Sequence, residues 1–547
     1  MFLNRILSDF GIFIAFIAII TGISIGLTYV FPERKFVIRK WLHIFSVGIT
    51  AFVSYSLSVF IPDSFSENQV FIGLQVFDDF ILLILIINVI LWIAVLFGFF
   101  KINGRKSWGI AWFPLSLFII LYWVRYFAPE KNMGAGLYFT AVVFFILAFA
   151  DGFAALVGYN FNPTNKTRSG SMVFFGITLL ILSLSIKYAP IYCFPEIFIN
   201  EKCIFLFSLF GALMLSTLEY YSRNGVDNLT VPLAGMFYLV SFSVLPIWEK
   251  WARIDSFFFL GIIFLVLGLI YAVYKMKWLS ESGIVLALIL AFVLFASEMP
   301  FLPILAFFIL GTLAGKLPRG KNRMSVRNAL DKDENIIISD KKYGKPRDAM
   351  QVLANGGIPL LLGFLLIFLN SHFFTELYFL NQFTKSISSA KGTWILLYWS
   401  VMSAALSDTW SSELGMKFGK KTIDILGFRK LQTGASGGIT WAGTVFGFLG
   451  SLIIGILFWV SRDVNSLNVQ ESNQDGKWFL IITIGGFLGT VLDSILGSIF
   501  QRKQQNTNGL FSDDESSGFT WRYWSNDMVN LISLVLVSIA IVCLMQF

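Results

Sequence analysis

Apolar runs of seventeen or more residues recur from one end of this 547-residue chain to the other, separated by short polar stretches. A bilayer core needs about 17–25 such residues per helix. On that measure the pattern predicts sixteen helices, at 10–31, 41–61, 80–100, 108–127, 136–158, 171–189, 203–222, 229–248, 256–274, 281–297, 300–315, 349–369, 393–416, 438–460, 478–500 and 525–546. Some are short or meet at tight turns, notably around Glu298 to Pro300. The expected fold is therefore all-α, a polytopic transmembrane helical bundle of about 14–16 spans. Segment 10–31 follows a short polar stretch without an A-x-A cleavage pattern and reads as a retained first span.

Composition agrees: 56% hydrophobic against 14% charged, with 60 Phe, excludes a soluble domain, where charged residues run near 25%. Three cysteines give no disulfide framework, and two histidines exclude a histidine-built metal site. The net charge of +8 looks like a nucleic-acid signal until its distribution is followed. Alternate loops, 32–40, 101–107, 159–170, 223–228, 275–280, 316–348, 417–437 and 501–524, hold 30 of the 41 Lys and Arg, and the opposite loops hold 10. The remaining one, Arg125, falls inside a predicted span. Such an asymmetry marks the basic side as cytoplasmic, so the positive charge reports topology and no nucleic-acid partner is expected. The expected location is a bacterial cytoplasmic membrane, with both termini outside. Loop 316–348 carries ten basic and five acidic residues and reads as a solvated cytoplasmic linker. The link Glu249 to Ser256 separates two halves with their own polar motifs, so domains are expected at 1–254 and 255–547.

Carboxylates inside spans cost about 2.5–3.5 kcal/mol each at a helix centre, so each requires a reason. Asp151 lies seven residues from the predicted cytoplasmic end of its helix, roughly 10 Å inside. Glu219 lies one turn inside another helix and is followed by Asp227 and Asn228. In the second half stand Asp408 and Glu413 in SAALSDTWSSELG, Asp493 in GTVLDSILG, and Asn526 with Asp527 at the start of the last helix. All fall at cytoplasmic helix ends. A lone carboxylate at such depth tends to protonate, whereas a divalent cation bridging it to phosphate keeps it ionised, and Mg²⁺ needs no histidine.

Cations and glycines stand beside them. Lys166 and Arg168 precede a helix begun by Gly170 and Ser171, whose free amides would favour an anion. Lys420, Lys421, Arg429 and Lys430 precede Gly434, Ser436, Gly437 and Gly438. Small residues at these spacings also serve close helix packing, and packing and phosphate binding stay open for each glycine. Packing does not require a charge, so the carboxylates favour function. His43, just inside a helix after Arg39 and Lys40, is either catalytic or a plain interfacial histidine. No P-loop and no protein-kinase catalytic loop is present. The halves echo one another: Asp151 and Asp408 are each followed by Gly seven residues on, then by Phe three further, then by lysines and a Gly/Ser helix start.

At these motifs the sequence resembles known families. RKWLH (39–43), ADGFAALVG (150–158), KTRSGS (166–171) and EYYSRNGVDNLTVP (219–232) resemble the phytol and dolichol kinase group of CTP-dependent polyprenol kinases. The position before the Gly-Ser pair departs from that group, carrying Ser169 where an acid is usual. RDAMQVLANGG (347–357), SDTWSSELG (407–415), GASGGIT (434–440), GTVLDSILGSIFQ (489–501) and WSNDMVN (524–530) resemble the family containing phytyl-phosphate kinase.

The two resemblances together imply a bifunctional enzyme of isoprenoid-alcohol salvage. It would phosphorylate a prenol such as phytol, farnesol or geranylgeraniol, then the prenyl phosphate, with a nucleoside triphosphate, CTP by resemblance, and Mg²⁺ on the cytoplasmic side. Asp151, Glu219 and Asp227 would hold metal or take the hydroxyl proton in the first half, with Lys166 and Arg168 on phosphates and His43, Gly170, Ser171 and Asn228 around the nucleotide. Asp408, Glu413, Asp493 and Asp527 would be metal-side groups in the second half, with Lys420 and Lys421 on phosphate, Gly437 and Gly438 at the nucleotide, and Asn355 and Asn526 as orienting donors. A CTP-dependent lipid cytidylyltransferase would use similar parts, and a transporter with two related halves is the rival outside enzymes.

Overall fold

The structure, a computed structural model, describes residues 30–60, 67–97, 101–102, 105–106, 108–126, 133–162, 166–190, 192–317, 346–370, 391–419, 421–461, 474–501, 503–505, 511–513 and 524–545. Nearly all of the predicted helix 10–31 lies outside them. The chain forms two compact units, Met1–Asp255 with Ile367–Thr384, and Ser256–Leu366 with Lys385–Phe547.

The helices of the first stretch are α1 (Lys35–Phe60), α2 (Glu67–Leu96), α3 (Gly109–Tyr126), α4 (Met133–Phe161), α5 (Arg168–Lys187), α6 (Glu201–Tyr221), α7 (Asp227–Phe242) and the short α8 (Ile247–Arg253). Those of the second are α9 (Ser256–Lys275), α10 (Glu281–Ala296), α11 (Leu302–Lys316), α12 (Ala349–Asn370), α13 (Lys391–Phe418), α14 (Trp441–Ser461), α15 (Gln474–Phe500) and α16 (Asn526–Met545). Among the described residues ten helices are long and apolar enough to cross a membrane, or eleven if α7 and α8, bent by 67°, make one broken span. The chain is an all-α polytopic membrane protein.

Two differences from the hydropathy reading have physical causes. Helix α2 begins at Glu67 instead of 80, because Asp78, read as a loop residue, is neutralised within the bundle. Arg125 of α3 donates to it through Nε at 2.8 Å and Nη2 at 3.0 Å, which also accounts for an arginine inside a span. The polar loops of the second unit form a small sheet, β3 (Thr422–Asp424), β4 (Lys430–Leu431), β5 (Gly438–Ile439), β6 (Lys503–Gln505) and β7 (Phe511–Asp513), in the order β5-β3-β4-β7-β6. These strands of two or three residues are too short to show an alternating pattern. A separate hairpin pairs β1 (Lys101–Ile102) with β2 (Arg105–Lys106). Because 438–439 joins β5, the helix predicted from 438 begins at Trp441.

Each unit is organised around one buried helix. In the first it is α4, whose residues 133–144 are buried on every side. In the second it is α13, where Ser400, Ser403, Ala404, Ala405 and Ser407 are at most 1% exposed. Lipid is as apolar as leucine, so tight packing of small residues does what hydrophobicity cannot. A Cβ at Gly447 or Gly450 of α14 would meet Ser411 or Leu406 of α13 at 3.2 Å, and one at Gly489 of α15 would meet Ala404 at 2.7 Å. These glycines let α14 and α15 close on the serine-rich face of α13, which is why a helix of low apolarity sits at the centre.

Candidate functional site

In the first unit three elements converge on Asp151. It closes a π-helical turn, Ile146–Asp151, within α4, an irregularity that often re-aims a functional side chain. Lys40 of α1 approaches it, Nζ to Oδ2 at 3.0 Å, and one turn on His43 Nε2 lies 3.3 Å from the same oxygen and 3.3 Å from Leu147 O. Both neighbours of Nε2 are acceptors, so that nitrogen carries the proton. Glu219, near the end of α6, and Asp227, first residue of α7, complete the group. The three carboxylates offer oxygens all within 4.8 Å of one another.

Lys166 bridges two of them, with Nζ at 2.5 Å from Glu219 Oε1 and 2.8 Å from Asp227 Oδ2, and it also donates to the Glu219 carbonyl. Burial opposes the ammonium charge, but the carboxylates of Asp227 and Glu219 outweigh it and raise the Lys166 pKa above the ordinary lysine value. The three acids face Lys40 and Lys166, with Arg39 acting on Asp151 at longer range. Three carboxylate oxygens suit a hard divalent ion such as Mg²⁺.

Glu219 and Asp227 lie at helix ends, so the group sits within about two turns of the bundle's edge, and the ten residues of α4 after Asp151, about 15 Å long, carry on past it.

Other predicted residues of this unit take structural places. Thr167 caps α5: its hydroxyl accepts from Gly170 N at 3.1 Å and its carbonyl accepts from Ser171 N at 3.0 Å. Those two amides are occupied, which corrects the expectation that they wait for an anion. Gly170 is small because a Cβ there would stand 2.9 Å from Ala154 O. Asn228 donates to Gly109 O at 2.9 Å and pins the loop before α7 to the start of α3. There Gly225, at φ +78°, comes so close to Gly109 that a Cβ would fall 2.6 Å from its Cα. Arg168 is exposed at the first position of α5.

In the second unit the half-buried carboxyls of Asp408 (α13) and Asp493 (α15) lie close together, and the Ser533 hydroxyl of α16 donates to Asn530 O at 2.8 Å. With its amide oriented by its neighbours, Asn530 donates to Asp493 Oδ1 at 3.1 Å and to Asn526 O at 3.1 Å. Among the described residues neither acid has a Lys or Arg ion-pair partner. Two adjacent carboxyls hold a proton or a cation between them.

The remaining predicted groups are dispersed. Glu413 lies elsewhere on α13, 3.9 Å from Lys417 Nζ and beside Gly315 of α11, and it forms no three-acid group with Asp408 and Asp493 among the described residues. A five-residue step turns a helix by about 140°, so the two acids of α13 face different neighbours. Asn355 donates to Gln351 O within α12 at 3.1 Å. Asn526 is exposed at the start of α16 and Asp527 is half-buried beside it, while Lys421 is exposed just before β3. Lys420 lies outside the described residues. Gly437, at φ +70°, and Gly438 pack structurally: a Cβ at Gly437 would stand 2.5 Å from Ser498 N, and one at Gly438 2.5 Å from Thr422 Cγ2.

The echo between the halves has a geometric counterpart. Gly158 packs on the cap of the next helix, its Cβ position 3.0 Å from Thr167 Oγ1 and 3.8 Å from Gly170 Cα. Gly415 does the same with Thr440 Oγ1 at 3.0 Å and Gly443 Cα at 2.9 Å, and Thr440 accepts from Gly443 N at 2.9 Å. In each unit the aspartate is ten residues from the end of its helix, and the second acid comes from the helix after the capped one.

Sequence reasoning missed Lys40, Asn530 and Ser533 as site residues. Lys40 lies three residues before His43, and Asn530 four after Asn526, so helical spacing was the available signal.

Fold and sites define a polytopic helical membrane protein with carboxylates brought together from different helices in each unit. Residues 264–538 match the family described as integral membrane protein DUF92. The chain is 31% identical over 232 residues to the uncharacterized membrane protein MJ0933 of Methanocaldococcus jannaschii, covering 42% of this chain and 77% of that one. It belongs to the DUF92 family. It is 25% identical over 272 residues to protein VTE6, chloroplastic, of Arabidopsis thaliana, covering 49% of this chain and 66% of that protein. It is 27% identical over 144 residues to the uncharacterized membrane protein sll0875 of Synechocystis, covering 26% and 45%. The family model leaves residues 1–263 outside its match. No solved structure gives a significant match.

Proposed function

We propose that this chain is a bifunctional isoprenoid-alcohol kinase of the membrane. The first unit turns a prenol into its monophosphate, and the second turns the monophosphate into the diphosphate, with a nucleoside triphosphate, CTP by resemblance, as donor. The observation that carries the reading is the pair of carboxylate groups, Asp151–Glu219–Asp227 bridged by Lys166 in the first unit and Asp408–Asp493 in the second. The second unit's motifs, through their resemblance to the family containing phytyl-phosphate kinase, support the later step; the first unit's motifs support the earlier one.

In the first unit the prenol oxygen attacks the γ-phosphorus, the bond from that phosphorus to the bridging oxygen breaks, and the nucleoside diphosphate leaves. Asp151 takes the hydroxyl proton, and His43 orients Asp151 through its Nε2–H. Lys40 holds the Asp151 carboxylate in place at 3.0 Å, and Lys166 neutralises phosphate oxygens as it exchanges carboxylate for phosphate. In the second unit the acceptor phosphate is already ionised, so no base is required, and Asp408 and Asp493 hold charge in place with Asn530 as orienting donor. Mg²⁺ held by these carboxylates would supply neutralisation of the triphosphate.

The test is product analysis with purified protein, phytol, farnesol or geranylgeraniol, and CTP labelled at the γ-phosphate or in the cytidine. Lipid mono- and diphosphate carrying the γ label is the expected result. Cytidine label in the lipid identifies a cytidylyltransferase, and no label in the lipid contradicts both readings.

A further inference from the structure

Successive turns of α1 line the approach to Asp151. His43 lies 3.3 Å from that carboxylate, and Arg39 stands four residues earlier, one turn nearer the start of α1 and on the same side of it. Phe36, three residues before Arg39, stacks on Tyr159 of α4, with ring centroids 4.1 Å apart and 12° between the planes. Tyr159 comes eight residues after Asp151, about 12 Å along α4, and Phe36 comes seven before His43, about 10 Å along α1. The two helices therefore run antiparallel and in step. Arg39 occupies their seam, between the level of Asp151 and the level of the stacked rings.

The Arg39 side chain is half-buried, and among the described residues its guanidinium forms no hydrogen bond and no ion pair. Its carbon lies 5.7 Å from the centroid of Phe36, and the charge of Asp151 acts on it at longer range. Stacking uses the flat face of a guanidinium and leaves the N–H donors around its edge for an acceptor. The neighbouring lysines are already committed, Lys40 to Asp151 and Lys166 to Glu219 and Asp227. Half-buried donors with no acceptor cost free energy. A fork backed by a ring, with its edge unengaged beside an acid group, is preorganised for an anion that arrives with the substrates.

We propose that Arg39 binds a non-transferred phosphate of the donor nucleotide in the first unit. This rests on the phosphoryl-transfer reading above and names the donor's contact. The prenol oxygen forms the new bond to the γ-phosphorus, Asp151 takes the hydroxyl proton, and the bond from that phosphorus to the bridging oxygen breaks. Its electrons leave on the nucleoside diphosphate, and Arg39 meets the charge that gathers there. A triphosphate lying along the seam has its γ-phosphate beside Asp151 and its remaining phosphates one turn closer to the start of α1.

The test is steady-state phosphorylation of farnesol by purified full-length R39Q and R39K, in neutral detergent and again with anionic lipid added. In R39Q, kcat/KM for the nucleotide is expected to fall about ten- to a hundredfold in both media, as for loss of a charge-assisted hydrogen-bond pair. It should fall less in R39K, and KM for farnesol should stay within about twofold. An unchanged nucleotide kcat/KM overturns the proposal. A defect seen only with anionic lipid also overturns it, by assigning the phosphate to a lipid headgroup. Conversion of supplied farnesyl monophosphate by the same preparation reports that the chain is folded; if R39Q has lost that too, the R39K constants decide on the same criteria. No farnesol phosphorylation by the wild-type protein removes the reading beneath, whereas wild-type activity that R39Q keeps in full removes only the role of Arg39.

Discussion

Asp493→Asn should make the protein more stable and less active at once. Its carboxyl lies close to that of Asp408 and, among the described residues, no basic side chain forms an ion pair with either. Two like charges about 4 Å apart repel by about 4 kcal/mol at an effective dielectric of 20. A shared proton relieves most of this, leaving a net gain of about 1–2 kcal/mol when asparagine, which can still donate to Asp408, replaces one acid. For a unit of this size that is about 2–5 °C in Tm. The assay is thermal unfolding in detergent with divalent ions chelated and then restored. A bound ion at a hundred times its Kd adds about 2.7 kcal/mol to the folded state, so Mg²⁺ should raise the wild-type Tm and raise that of the variant much less. Turnover of prenyl monophosphate should fall at least ~100-fold. A lower Tm in metal-free buffer, or a Mg²⁺ response equal to that of wild type, refutes the reasoning.

Other substitutions separate the two units and probe their supports. Asp151→Asn is expected to abolish monophosphate formation while supplied monophosphate is still converted, and Asp408→Asn to make the monophosphate accumulate; lipid mass spectrometry reads both. Gly437→Ala places a Cβ 2.5 Å from Ser498 N at a φ of +70°, costing about 2 kcal/mol or more, and should speed proteolytic cleavage within 422–440. Asp424 is buried against its own charge, but hydrogen bonds from Ser498 at 2.5 Å and Lys503 at 3.0 Å outweigh that and hold its carboxyl below the usual range. A depressed pKa contributes stability that is present above the unfolded value, near 4, and lost as pH falls through the folded one. The Tm difference between wild type and Asp424→Asn should therefore be constant at neutral pH and shrink below about pH 4.

Much of the fold was written in hydropathy, because each span must bury a long apolar segment and each costly charge in a span stands out against it. Asp151, Glu219 and Asp227 were legible for that reason, and the structure brings them to within one ion's reach of each other. Glu413 was grouped with Asp408 by nearness in sequence, and helical geometry parts them. The glycines were ambiguous in principle, since a small residue serves a phosphate and a close-packed helix equally well. Gly170, Gly437 and Gly438 prove to have backbone or side-chain neighbours that leave no room for a side chain. Asn530 and Lys40 carried no anomaly of their own, one polar at a helix start and the other basic in a basic loop, and only their helical spacing from Asn526 and His43 pointed to them. The five-stranded sheet had no periodicity to read, because its strands are too short to repeat.

The central claim is that acids in each unit hold a divalent ion with nucleotide, and binding of Mn²⁺ in place of Mg²⁺, counted by electron paramagnetic resonance with CTP present, tests it most directly. Two ions per chain are predicted, with one lost in Asp151→Asn and the other in Asp408→Asn. A count that neither substitution changes, or no tight ion at all, contradicts the account.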